Sequence, residues 1–170
     1  SVSIGESRAL VETLKQYSTV FQCGTQRRNI GNFVYAVNLA RSGKLGELTD
    51  LHAEKAWPGS GVNFKVLPAQ EQPSREEMWW DQWLGVAPWR PYNEKYYQRG
   101  FWGRHGDFSG GSITEWGSHT VDLCQWANDA DDSAPVECEP VNEQGDVVAR
   151  YANGVKLHIR KGLRFGTCPV

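Results

Sequence analysis

The residues best suited to chemistry fall in one stretch, SITEWGSHTVDLCQW at 112–126. Glu115 and His119 are four apart, and His119 and Asp122 three apart, so an uninterrupted helix would project all three from one face. Histidine is the side chain whose charge changes near neutral pH, and a neighbouring carboxylate can fix its tautomer and orientation. A general base needs this arrangement, a proton-accepting ring held by a second group. The same triple is common on the wet face of an ordinary helix, so spacing alone leaves both readings open. Gly117, in the middle of the expected helix, costs up to about 1 kcal/mol relative to alanine, which close approach of backbone or ligand would explain.

The elements that must position this stretch follow from capping and periodicity. Ser3 and Glu6 have capping-box spacing and open a helix over about 6–17, with Leu10, Leu14 and Tyr17 in one stripe. The run TVFQC at 19–23 reads as a buried strand ending at Gly24. A second helix is expected over 30–42, with Phe33, Val37 and Ala40 inward and Gly43 at the left-handed cap position. Residues 47–57 read as a strand, 58–78 as a long surface excursion, and 79–84 as one or two helical turns. A helix over 112–128 is followed by strands at 135–142, 146–152 and 155–161, the last two joined by Asn153-Gly154, a strong hairpin signal. This order predicts an α+β fold, a largely antiparallel open β-sheet with helices packed on one face.

Composition narrows the function classes. The chain has 170 residues, enough for one hydrophobic core and on the small side for two. With 39% hydrophobic and 22% charged residues and a net charge of −2, it has the balance of a soluble globular protein. The densest basic run, Gln26-Arg27-Arg28, is too short for an electrostatic footprint, so no nucleic-acid partner is expected. No apolar run reaches the roughly 18 residues of a membrane span, so no membrane partner is expected either. The N-terminus lacks the apolar core of a signal peptide, but a longer precursor would carry its address upstream. Localisation therefore stays open between the cytoplasm and an exported parent. Cys23, Cys124, Cys138 and Cys168 show no C-x-x-C spacing, which reads as free thiols in a reduced compartment with no metal site.

Five of the eight tryptophans fall between residues 79 and 102. Such a concentration fits a rigid aromatic wall for a ligand, often a sugar, or else a core or a subunit interface. Trp89, Arg90 and Tyr92 are the substrate-binding candidates of this segment.

Four segments together resemble the Gfo/Idh/MocA family of NAD(P)-dependent oxidoreductases, in its C-terminal part. FQCGTQRR at 21–28 is similar to the family's strand at the junction of its two domains, and LARSGKLG at 39–46 to its helix-end signature. WDQWLGVAPWRPY at 80–92 is similar to a segment of a large bacterial subgroup. Glu115-x-Gly117-x-His119-x-x-Asp122 resembles the family's D-x-G-x-H-x-x-D motif. The four occur in the family's order and span about residues 3–160.

The resemblance implies a C-terminal domain like that of dihydrodipicolinate reductase, working on a sugar-like small molecule or polyol. His119 would handle the proton of a substrate hydroxyl, Glu115 would orient substrate or ring, and Asp122 would support from one turn on. Glutamate stands where the family usually has aspartate, a change that moves the carboxylate by about 1 Å, enough to matter for catalysis. Arg27 and Arg28 would lie near the substrate. The family's cofactor is NAD or NADP, held by a Rossmann domain that precedes an E-K-P motif with the catalytic lysine. This sequence contains neither that motif nor a G-x-G-x-x-G after a strand. Residues 1–28 are then expected to be a remnant of the last helix and strand of a Rossmann domain, and 29–170 a truncated substrate domain. On that expectation the chain binds no cofactor and is inactive by itself. Two alternatives remain: an NAD-dependent glycoside hydrolase of the same family, which returns its hydride, and a non-catalytic module that forms a homo-oligomer through its β-sheet face.

Overall fold

The computed structural model describes residues 3–54, 62–160 and 162. In chain order its elements are α1 (Ile4–Tyr17), a 3₁₀ turn (Gln26–Asn29), α2 (Gly31–Arg41), β1 (Asp50–Glu54), α3 (Trp80–Leu84), a second 3₁₀ turn (Glu94–Tyr97), α4 (Arg99–Trp102), α5 (Ser112–Glu115), α6 (Gly117–Ala127), β2 (Glu137–Pro140), β3 (Val147–Arg150) and β4 (Lys156–Arg160). By its contacts the chain divides into two units, Ser1–Phe21 with Gly61–Gly111, and Gln22–Ser60 with Ser112–Val170.

The second unit holds the sheet, in the order β1-β4-β3-β2. The expected α+β layering is present: α6 packs on β1 and β4, and α2 packs on α6. The sheet is largely antiparallel, as expected, and mixed through one pairing. β2, β3 and β4 pair antiparallel, but β1 joins β4 in parallel, with Asp50 opposite Lys156. The reason is the connection. Neighbouring strands joined by tight turns must run antiparallel, whereas the long segment between β1 and β4 lets the chain return in the same direction.

Alternation in DLHAE and KLHIR sorts the two faces. Ala53, Ala149, Leu157 and Ile159 are buried with Cys124 of α6, and Tyr151 and Val155 close the end of this core. The opposite face carries rows Asp50/Lys156, His52/His158 and Glu54/Arg160. There the two imidazoles stack with centroids 4.7 Å apart. His158 Nε2 lies 2.7 Å from Asp50 Oδ1, and Arg160 Nη2 donates to His52 Nδ1 at 2.7 Å. Burial, then the charges of Arg160 and His158, hold the His52 imidazolium below its ordinary range.

The Asn153-Gly154 signal closes a hairpin whose loop is longer than two residues. Tyr151 N–H donates to Val155 O, Gly154 N–H donates to Tyr151 O, and Gly154 has φ 89°. This places glycine at the left-handed position of a three-residue loop.

Burial pushes the Cys124 thiol up to about 11, while Cys23 and Cys138 are free and exposed. Alkylation at pH 8 is therefore expected to label Cys23 and Cys138 quickly and Cys124 only after unfolding. Peptide mass mapping checks this, and equal rates at all three sites would contradict the buried-thiol account. Cys168 lies outside the described residues, as do 55–61 of the expected strand and loop.

In the first unit, α1 begins with the expected capping box, Ser3 Oγ accepting from Glu6 N–H and Glu6 returning to Ser3 N–H. Its apolar stripe is uncovered: none of its residues is buried, and Tyr17 is exposed. The strand expected at 19–23 does not form. Val20 and Phe21 are exposed there, so no burial rewards an extended run, and none of the sheet's strands pairs with it.

Residues 62–111 contain only short helical pieces, too short to hold themselves together by backbone hydrogen bonds. Large rings do so instead. Leu67, Trp80, Leu84, Tyr92 and Tyr96 are buried, with Met78, Trp83, Phe101 and Phe108 packed around them. Trp80 Nε1 donates to Arg90 O at 2.8 Å, and Tyr96 Oη accepts from Leu67 N–H at 2.7 Å, so the polar ends of both buried rings are satisfied. Gly106 lies so close to Phe64 that a Cβ there would overlap its ring.

Candidate functional site

The helix expected over 112–128 is two helices. It breaks at Trp116, which separates α5 from α6. His119 N–H donates to Trp116 O and Ser118 Oγ to Glu115 O, both three residues back, which tightens the chain at the break. Gly117 is accordingly the buried first residue of α6 and not a mid-helix glycine. Thr120 Oγ1 donates to Gly117 O and to Glu54 O, tying this turn to the end of β1.

His119 stands in the first turn of α6, half-buried. Its ring meets Trp116 edge to face, with centroids 5.9 Å apart and planes at 83°. Among the described residues neither imidazole nitrogen has a hydrogen-bond partner. The Arg27 guanidinium lies 5.1 Å from the Trp116 ring centroid and 5.5 Å from that of Phe33. It too makes no hydrogen bond among the described residues. Arg27 and His119 thus both contact Trp116, one as a cationic donor and the other as an uncommitted imidazole. Glu115 ends α5 and is half-buried.

Asp122 has the place expected for it, one turn beyond His119, but its carboxylate is taken up by Arg28. Nε donates to Oδ1 and Oδ2 at 3.1 and 2.9 Å, and Nη2 to Oδ1 at 2.8 Å. The same guanidinium holds Asp131 through Nη1 and Nη2, at 2.9 and 2.8 Å. It also lies 5.4 Å from the Trp126 ring centroid. Arg28 therefore clamps the 3₁₀ turn before α2 to α6 and to the acidic turn after it. These hydrogen bonds, to Asp131 first and Asp122 second, raise the Arg28 pKa above its ordinary value, and they hold Asp131 below the usual carboxylate range.

Substituting Arg28 by alanine is expected to cost about 1–3 kcal/mol, because it leaves a four-fifths-buried Asp122 unpaired. The pH effect has a definite sign. A carboxylate with a lowered folded-state pKa contributes stability above the unfolded value, roughly 3.9, and loses it as pH falls through the folded value. Thermal unfolding should thus show a stability loss below about pH 4 that is smaller in Arg28→Ala than in wild type. This effect comes from Asp131 and is modest, since that side chain is about half exposed and screened by solvent. Parallel curves for the two proteins would contradict the clamp.

The other sequence candidates belong to the first unit. Trp89 is 73% exposed. Arg90 is buried, donating to Pro88 O through Nε and ion-paired through Nη2 with Asp107. Tyr92 is buried at the ring with its hydroxyl 3.3 Å from that of Tyr97; this hydrogen bond, followed by burial, pushes its phenol up to about 12. Tyr92 also lines a groove of about 570 Å³ with Glu71, Glu77 and Glu94.

Sequence reasoning missed Trp116 as a site residue. It counts there as one more apolar helix position, although it directly precedes the G-x-H run. Asp131 stands out in the sequence only as part of the acidic run Asp129–Asp132.

A family model described as the C-terminal alpha/beta domain of an oxidoreductase family, the Gfo/Idh/MocA group, matches residues 42–162. The match includes Glu115, His119 and Asp122 and leaves Arg27 and Arg28 outside. No curated protein and no solved structure matches the chain significantly.

Proposed function

Because the chain belongs to the Gfo/Idh/MocA oxidoreductase family through its C-terminal alpha/beta domain, we propose that it supplies the substrate-binding and proton-transfer half of an NAD(P)-dependent enzyme acting on a sugar or polyol. The observation that carries this reading is the half-buried His119 imidazole with both nitrogens uncommitted beside Trp116. An alcohol being oxidised must lose its hydroxyl proton, and a positioned neutral imidazole is the side chain best placed to take it near neutral pH. Arg27, which lies over the same ring, orients hydroxyl groups, and the Trp116 ring presents an apolar edge to the substrate's C–H face. Glu115 helps to orient the substrate. Asp122 acts at one remove: with Arg28 it fixes the helix that carries His119. NAD(P), held by a nucleotide-binding domain, would accept the hydride, and the chain by itself does not turn over.

The test is nicotinamide absorbance during incubation of sugars and polyols with NAD⁺ or NADP⁺, using the chain alone and the chain joined to a nucleotide-binding domain of its family. Cofactor reduction by the joined protein alone supports the proposal. Absence of reduction with every substrate, in a joined protein that binds the cofactor, counts against it. Release of sugar from a glycoside without net reduction would favour the hydrolase reading.

Self-association is a second reading, favoured by the sheet face turned away from α6. Its stacked His52 and His158, flanked by Asp50 and Arg160, form an ordered polar surface of mixed charge suited to a second copy. Light scattering across a concentration series decides this; a monomer throughout would remove the idea.

A further inference from the structure

We propose a second small-molecule site, a cleft of the first unit built for a single pyranose ring. It stands on observations separate from the histidine site, so either can fail without the other. The cleft has a volume of about 430 Å³, within the roughly 300–1,000 Å³ typical of small-molecule pockets. Trp83, Trp102 and Phe108 supply aromatic walls, and Leu84, Val86 and Ala87 the aliphatic lining. One carboxylate, that of Asp107, completes it.

Two of the walls have fixed backing. Trp83 stacks on buried Trp80 with planes 6° apart and centroids 5.0 Å apart, and it meets Phe108 edge to face at 5.0 Å. Phe108 in turn packs against buried Tyr96 and His105. Asp107 is held by its ion pair to Arg90 and by its own backbone N–H, which donates to His105 Nδ1 at 3.2 Å. A cleft held in this way loses little freedom when it binds.

The polar groups specify the ligand. Asp107 meets Arg90 through Oδ2, and its Oδ1 has no partner among the described residues. The indole N–H groups of Trp83 and Trp102 likewise have no acceptor there. An acceptor beside aromatic walls that carry two uncommitted indole N–H groups matches a ring with an apolar C–H face and a rim of hydroxyls. A cationic ligand is disfavoured: the guanidinium of Arg90 already neutralises Asp107 and lies 4.8 Å from the Phe108 ring centroid.

The experiment uses the 170-residue chain, with methyl hexopyranosides as probes and tetramethylammonium as the cationic control. Binding is followed by tryptophan fluorescence and by saturation transfer to the sugar's ring protons. Saturable pyranoside binding is expected, weakened roughly tenfold or more by Trp102→Ala. Val86→Arg should weaken it similarly; Val86 is 85% exposed, so that change spares the core while placing a long side chain in the cleft. The proposal is overturned by absence of saturable binding to the folded chain, by binding that both cleft variants retain, or by tighter binding of tetramethylammonium.

Discussion

Replacing His119 with asparagine is expected to lower kcat of the cofactor-loaded protein by roughly 10²- to 10⁴-fold, the range for loss of a positioned general base. Asparagine fills a similar volume but cannot take a proton at working pH. The loss should therefore fall on kcat with KM little changed, the pattern of an interaction made in the transition state. Stability should move by no more than about 0.5 kcal/mol, because the imidazole has no hydrogen-bond partner to lose and only its edge contact with Trp116 is altered. The acidic limb of the kcat pH profile should flatten in the variant, a readout that a purely structural role would not move. A kcat within about threefold of wild type, with the pH profile intact, would remove His119 from proton transfer.

Arg90→Ala is expected to produce the largest loss of stability, about 3–5 kcal/mol, as when one member of a buried ion pair is removed. The Arg90 side chain is 9% exposed and that of Asp107 25%. The guanidinium also packs 5.3 Å from the Tyr96 centroid and 4.8 Å from that of Phe108. Its removal strands the carboxylate and opens a gap among rings that hold the first unit together. Arg90→Lys should rescue only in part, since an ammonium can neither form the planar fork nor lie flat against the two rings. Urea unfolding monitored by tryptophan fluorescence measures the change, because most tryptophans lie in this unit. A midpoint unchanged in Arg90→Ala would show that the aromatic cluster stands without the ion pair. Arg90, a substrate-binding candidate in the sequence, thus has a structural task.

Much of the sheet unit was legible in advance. The strands at 50–54, 137–140, 147–150 and 156–160 all lie within expected spans, and α2 differs from expectation by one residue at each end. The site was less legible. The Glu115/His119/Asp122 triple assumed one continuous helix, but the break at Trp116 puts Glu115 on a separate segment, and the Asp122 carboxylate turns to Arg28. The strand expected at 19–23 failed for a similar reason: β-branched and aromatic residues favour an extended chain only where a neighbour and a buried face exist.

The sequence by itself determined what depends on contacts a few residues apart. The Ser3–Glu6 capping box, the left-handed Gly43 and Gly154, and the alternation that sends Leu157 and Ile159 to one face and His158 to the other are all of this kind. Tertiary structure alone decided the pairings between distant residues. Arg28 meets Asp131 across 103 positions, His158 meets Asp50 across 108, and β1 aligns with β4 in parallel. Periodicity can assign a residue to a face, but a partner on another element is chosen by how the elements pack. The free imidazole of His119 and the occupied carboxylate of Asp122 were for that reason indistinguishable in the sequence.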